Sequence, residues 1–209
     1  MTKEAETSKD TTTTSTNKSD KYKTKTILVA GGAGYIGTHI VVELLQAGFS
    51  NVVVIDNLCN SSREAIRRVE KITNANVTFY EVDIAKQPEA VNDICTKHRF
   101  YCCIHLAGLK AVGEKCPTPI AILPKQFAMH NELARVSQSE QMQQLHLSST
   151  ACVYGNAPVP YTEKDPAGHG LNSPYGKTKY FSEEIIRDFG IFFFFKKKKR
   201  GNPFLFFIF

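Results

Sequence analysis

The chain lacks the features that would place it outside the cytosol. Residues 1–25 contain Thr, Ser, Lys and acids with no apolar stretch, so no secretory signal is read there. No apolar run is long enough to span a bilayer. The six cysteines (Cys59, Cys95, Cys102, Cys103, Cys116 and Cys152) form no CxxC pair and have no zinc-like spacing, so no metal site is expected. Reduced thiols in the cytoplasm are the expectation, several of them acting as small hydrophobes in or beside strands. The body also lacks a basic excess. Residues 26–190 carry 15 Lys and Arg against 16 Asp and Glu, so the net charge of +6 belongs to the ends. A nucleic-acid partner would call for basic residues spread along a folded face, and none is expected.

With little to bury, residues 1–25 are expected to form a disordered tail. From Thr26 short apolar runs alternate with amphipathic segments. Ile27–Ala30, Val52–Ile55, Val77–Val82, Tyr101–Leu106 and Leu145–Ser149 read as strands. Helices are expected through Val41–Leu45, through Ile66, Val69 and Ile72, over 88–98, and from Asn172-Ser173-Pro174 along a Phe181, Ile185, Phe189 face to a stop at Gly190. Uninterrupted apolar strands alternating with helices predict an α/β fold: a doubly wound parallel sheet over 26–190. Residues 117–143, with Pro117, Pro119 and Pro124, fit that pattern least well. Residues 191–209 join Phe runs to a Lys run. Such a mixture suits a membrane-surface anchor, but the preferred reading is translated A/T-rich non-coding sequence, with no membrane partner.

Gly31-Gly32-Ala33-Gly34-Tyr35-Ile36-Gly37 follows the first strand and opens the first helix. Glycines there allow a tight turn, a pyrophosphate against the backbone, and close helix–strand packing. Free amides at the helix start then face the phosphates. Asp56 ends the second strand, 19 residues past Gly37. An acid there can accept the adenine-ribose hydroxyls and would repel a 2′-phosphate, so NAD is expected rather than NADP. Asp83 has two readings, a neighbour of the adenine or the N-cap of the 84–98 helix.

Tyr175 and Lys179 stand four residues apart on one helix face. A nearby ammonium is expected to lower the phenol's pKa and make it a usable base. Eight Tyr and 19 Lys would produce such spacing by chance roughly once, so its weight comes from its place after the fifth strand. Ser148-Ser149-Thr150 closes that strand, where ligands of doubly wound sheets sit. Thr150 is the candidate hydroxyl for the substrate oxygen, with Ser148 its neighbour.

At these residues the chain resembles the UDP-glucose 4-epimerases of the extended short-chain dehydrogenase/reductase group. The stretches that carry the likeness are ILVAGGAGYIGTHIVVELLQAGF (27–49), VVVIDNLCNSSREAIRRVEKI (52–72), HLAGLKAVGE (105–114), SSTACVYG (148–155) and NSPYGKTKY (172–180). The resemblance covers residues 25–190, about the first half of a typical member. It implies that Asp56, Asn57 and the Leu58–Ser61 loop, with Cys59, Asn60 and Ser61, hold the adenosine end. Asp83 and Ile84 would meet the adenine, while Leu106, Ala107, Gly108 and Lys110 would line the path to the nicotinamide. Tyr175 would be the base, Lys179 the partner of the nicotinamide ribose, and Thr150 the substrate hydroxyl contact. The implied reaction inverts C4 of a UDP-hexose. Tyr175 removes the 4-OH proton as NAD accepts hydride, the keto sugar rotates, and hydride returns to its other face. The resemblance also implies a homodimer formed through two helices, of which the Tyr-bearing helix is one.

Three departures stand out. Pro124-Lys125-Gln126 replaces the family's paired asparagines, and Leu106 replaces a usual Phe. After Gly190 the next strand and the nucleotide-gripping C-terminal domain are missing or replaced, which predicts an unpaired sheet edge and little or no turnover. Two other readings are a sugar-nucleotide 4,6-dehydratase, disfavoured because Ala151-Cys152 stands where an acidic pair would be needed, and a non-catalytic nucleotide-binding remnant.

Overall fold

The computed structural model describes residues 23–108, 142, 144–196 and 204–208, with side chains to residue 188. Six strands form one parallel sheet: β1 (Thr26–Ala30), β2 (Asn51–Asp56), β3 (Thr78–Glu81), β4 (Cys102–His105), β5 (Gln144–Ser148) and β6 (Phe204–Ile208). Their spatial order is β3-β2-β1-β4-β5-β6. The helices are α1 (Tyr35–Gln46), α2 (Arg63–Thr73), α3 (Pro88–His98) and α4 (Pro174–Lys196), and a 3-10 turn (Ala151–Tyr154) follows β5.

Successive strand residues point to opposite faces of a sheet, and both faces here are apolar. Ile27, Val29, Val52 and Val54 pack with Val41 of α1 and with Ile66 and Val69 of α2. Leu28, Ala30, Val53, Ile55, Leu145 and Leu147 pack with Val91 and Ile94 of α3 and with Ile186 of α4. That two-sided burial is why the strands read as continuous apolar runs, and it makes the sheet doubly wound, as expected.

Three expectations are corrected. First, α4 runs through Gly190 to Lys196. A helical glycine costs only about 1 kcal/mol relative to alanine, too little to stop a helix by itself. Secondly, the expected Phe181–Ile185 face is not the packed one. Phe181 is 52% exposed, whereas Thr178, Lys179, Ser182, Glu183 and Ile186 are buried; Ile72, at the end of α2, is likewise exposed. Spacing alone gave the wrong stripe because most residues on the buried stripe are polar. Thirdly, β5 is not an edge: β6 pairs with it in parallel from Gln144↔Phe204 to Ser148↔Ile208. A Phe/Ile segment has strong strand preference. The 1–25 tail lies almost wholly outside the described residues. So do Lys110, Cys116 and residues 124–126.

Candidate functional site

The carboxyl ends of β1 to β5 share one border of the sheet, and the winding reverses at β1, with β2 and β3 on one side of it and β4 and β5, reached by the crossover from β3, on the other. A crevice opens at such a switch point. Its floor is made by backbone. Gly31 N–H donates to Ile55 O at 2.8 Å, and the Leu106 and Ala107 amides both donate to Ala30 O, at 2.8 and 2.9 Å. Gly31 turns at φ +80, and a Cβ on it would sit 2.5 Å from Ala107 N. A Cβ on Gly37 would sit 2.3 Å from Gly31 O. Glycine is therefore required at both places by the packing of the loop on itself and on its neighbours.

The α1 hydrogen-bond ladder begins with Thr38 N–H to Gly34 O. The amides of Tyr35, Ile36 and Gly37 precede it, on residues that line the cavity, and the first turn carries no acid. Three early amides at a helix N-terminus suit an anion. Asp56, buried at the end of β2, accepts Ala33 N–H at 3.1 Å on Oδ2, and Leu58 N–H (2.9 Å) and the Ser61 hydroxyl (2.8 Å) on Oδ1. The same carboxylate thus ties the glycine loop to the loop after β2, while still lining the cavity.

Asp83 does not cap the helix beyond it; Gln87 holds that position. Proline at the next position starts α3 one turn later than the cap reading requires. Asp83 instead accepts Ala85 N–H at 3.1 Å and Asn57 Nδ2 at 3.3 Å, and pairs with Lys86 at 3.5 Å. It joins the loops after β2 and β3 at the cavity wall.

The cavity, of about 380 Å³, runs from these loops to α4. At the glycine-loop end it is lined by Gly31, Gly34, Tyr35, Ile36 and Gly37, and beside them by Asp56, Asn57, Cys59, Asn60, Asp83 and Ile84. At the far end lie Leu106, Ala107, Ser148, Tyr175 and Lys179. Two expected residues are not on this wall. Ser61 stands behind it, bound to Asp56. Thr150 caps the 3-10 turn, its hydroxyl accepting Cys152 N–H at 3.3 Å. Sequence reading missed Lys86 on the wall. An isolated surface lysine carries no motif, and only its place after β3 brings it there.

Lys179 is buried and its Nζ donates to the Ser148 carbonyl at 2.8 Å. The nitrogen lies 6.0 Å from the centre of the Tyr175 ring. The expectation that this ammonium lowers the phenol's pKa is not met. Burial, and then the electrostatic influence of Cys152, push Tyr175 above the ordinary phenol value. The spacing of Tyr and Lys was legible in the sequence, but the balance of desolvation against charge was not. Among the described residues no cluster of His, Cys, Asp or Glu could hold a metal, and no helix is long and apolar enough to cross a membrane.

A parallel sheet in this order, with a glycine turn at the switch point and an acid ending β2, defines a dinucleotide-binding fold of the Rossmann type. Residues 27–192 match the NAD dependent epimerase/dehydratase family, and the chain belongs to that family. It is 44% identical over 170 residues to a UDP-glucose 4-epimerase of Drosophila melanogaster, and 45% identical over 164 residues to that of Erwinia amylovora. Each match covers 78% of this chain and 48% of the relative. The chain therefore spans about half the length of the curated relatives it matches. Among solved structures, the UDP-glucose 4-epimerase of Bifidobacterium longum in complex with NAD+ and UDP superposes with a TM-score of 0.74 at 38% identity. That match covers 79% of this chain and 49% of the other. The Stenotrophomonas maltophila enzyme, with bound NAD and formylated UDP-arabinopyranose, gives 0.73 at 34% identity, covering 80% and 49%.

Proposed function

We propose that this chain is the NAD-binding half of a UDP-hexose 4-epimerase, carrying the proton-transfer groups of the reaction at the far end of the cleft. The observation that carries the reading is the single cavity wall joining the glycine turn and Asp56 to Tyr175 and Lys179. Its volume lies within the range of small-molecule sites, about 300–1,000 Å³.

In this reading the amides of Tyr35, Ile36 and Gly37 hold the pyrophosphate, Asp56 and Asn57 the adenine ribose, and Asp83 and Ile84 the adenine. Ser148 and Lys179 orient the nicotinamide ribose. Bound NAD supplies a reversible hydride acceptor and, in its oxidised form, a positive charge that favours the phenolate. Tyr175 takes the proton of the substrate 4-OH and returns it when inversion is complete. Thr150 stands off the wall at the cap of the 3-10 turn, where Oγ1 accepts Cys152 N–H and keeps its own proton; as donor to the same substrate oxygen it needs the sugar to reach beyond the cavity. Family membership and the thiols of the five described cysteines support a cytosolic enzyme of sugar-nucleotide metabolism.

Calorimetric titration of the chain with NAD and NADP tests the cofactor assignment. One NAD per chain, with NADP bound more weakly, is expected, and a folded chain that takes up no NAD overturns it. The reaction is tested by joining residues 1–190 to the remaining half of the Drosophila relative. Conversion of UDP-galactose to UDP-glucose is expected, and is lost in Tyr175→Phe. A folded, NAD-loaded fusion without conversion rules the reaction out.

A further inference from the structure

Glu183 lies outside the cavity lining, one helical turn beyond Lys179, and both residues are only 2% exposed. Its carboxylate accepts the Ser149 hydroxyl. Lys179 Nζ donates to the carbonyl of Ser148, the residue before. Two consecutive residues at the end of β5 are thus tied to two successive turns of one face of α4. The next residue, Thr150, opens the 3-10 turn.

A carboxyl group in a dry interior is costly unless it is paired. For stability alone, an apolar residue of similar volume serves as well or better, and Ile186 shows that this face of α4 accepts one. The other charged groups that act on Glu183 are Lys179, Glu184 and Arg187 along α4, with Tyr154 facing it from the 3-10 turn. What the carboxylate adds over an apolar side chain is an acceptor at a fixed place, and a hydrogen bond in a low-dielectric site holds direction well.

We propose that Glu183 is a positioning residue for the reaction centre. By accepting the Ser149 hydroxyl it fixes the Ser148–Thr150 backbone, and with it the carbonyl that aims Lys179 into the cofactor cleft. The proposal rests on the NAD reading of that cleft and adds a residue which touches neither cofactor nor substrate.

The test compares Glu183→Gln, Glu183→Leu, Lys179→Met and the Leu/Met double variant of the 209-residue chain, measuring NAD affinity by calorimetry and melting temperature in parallel. Gln keeps an oxygen that accepts from Ser149 and should bind NAD within about twofold of the parent. Leu leaves the Ser149 hydroxyl unpaired and should lower the melting temperature by a few degrees as well as weaken NAD binding about tenfold, so the coupling to Lys179 is the readout that separates positioning from packing. In the Lys179→Met background the Leu effect should shrink to about twofold or less, because Glu183 acts through Lys179. A residue that merely fills space would show equal losses in both backgrounds. That result overturns the proposal, as does unchanged affinity in Glu183→Leu. Should Leu fail to fold, Ser149→Ala removes the same hydrogen bond from the other side, with the same expectations. A parent chain that binds no NAD contradicts the cofactor assignment itself, an outcome distinct from a bound but uncoupled pair.

Discussion

Asp56 and Ala33, 23 residues apart, are joined by a hydrogen bond of 3.1 Å from the Ala33 amide to Oδ2, buried at the end of the first β-α-β unit. The acid that selects the cofactor in the proposed reading is therefore also a fastener of the glycine loop.

Asp56→Asn should reveal both roles. An amide has one acceptor where the carboxylate offers two, so a donor among Ala33 N–H, Leu58 N–H and the Ser61 hydroxyl loses its partner. A loss of about 1–3 kcal/mol is expected, read as a melting temperature lower by several degrees. The preference for NAD over NADP should narrow, because the charge that repels a 2′-phosphate is gone. Unchanged melting with unchanged selectivity would contradict both roles.

Two glycines separate loop packing from ligand contact. Gly37→Ala brings a methyl group to 2.3 Å from Gly31 O and 2.6 Å from Gly32 Cα. Backbone cannot yield as a side chain does, so a cost of about 1–3 kcal/mol and a large loss of NAD affinity are expected. Gly34→Ala meets only Gly31 O, at 3.4 Å. It should keep the parent melting temperature. Calorimetry and thermal melting of both variants check the contrast.

The Tyr175 phenol should titrate above the ordinary value near 10 in the free chain, since burial and Cys152 both raise it. Cys152→Ser removes the second cause and should move the titration downwards. The measurement is tyrosinate absorbance against pH, with Tyr175→Phe subtracted to isolate this ring from the other tyrosines. A Tyr175 that ionises below the ordinary value would show that Lys179 outweighs burial after all.

Glu183 gives a pH signature in stability. Burial, the largest influence, raises its pKa above 4.5, although the Ser149 hydrogen bond and the Arg187 charge oppose it. For an acid raised by folding, the native state holds its proton more tightly than the unfolded chain does. The contribution is complete below the unfolded value and is lost as pH rises through the folded one. The parent should therefore lose stability relative to Glu183→Gln as pH rises from below 4.5 towards neutrality. A melting-temperature difference that is flat with pH, or that runs the other way, would refute the raised value.

The sequence alone determined the five strands from β1 to β5, the doubly wound winding, the glycine turn, Asp56, and the Tyr175/Lys179 pair. These are legible because each rests on local physics: apolar runs that need cover on both sides, a turn that admits no Cβ, a helical repeat that aligns residues four apart. The tertiary structure decided what depends on distant neighbours. The packed stripe of α4 is mostly polar, so periodicity pointed to Phe181 and Ile185 instead of Thr178, Ser182 and Glu183. The partner of β5 comes from residues 204–208, read in sequence as an aberrant tail. The pKa of Tyr175 is set by how deeply the ring is buried, not by how many residues separate it from a lysine. Burial, strand pairing and desolvation are properties of surfaces brought together, and no window along the chain contains them.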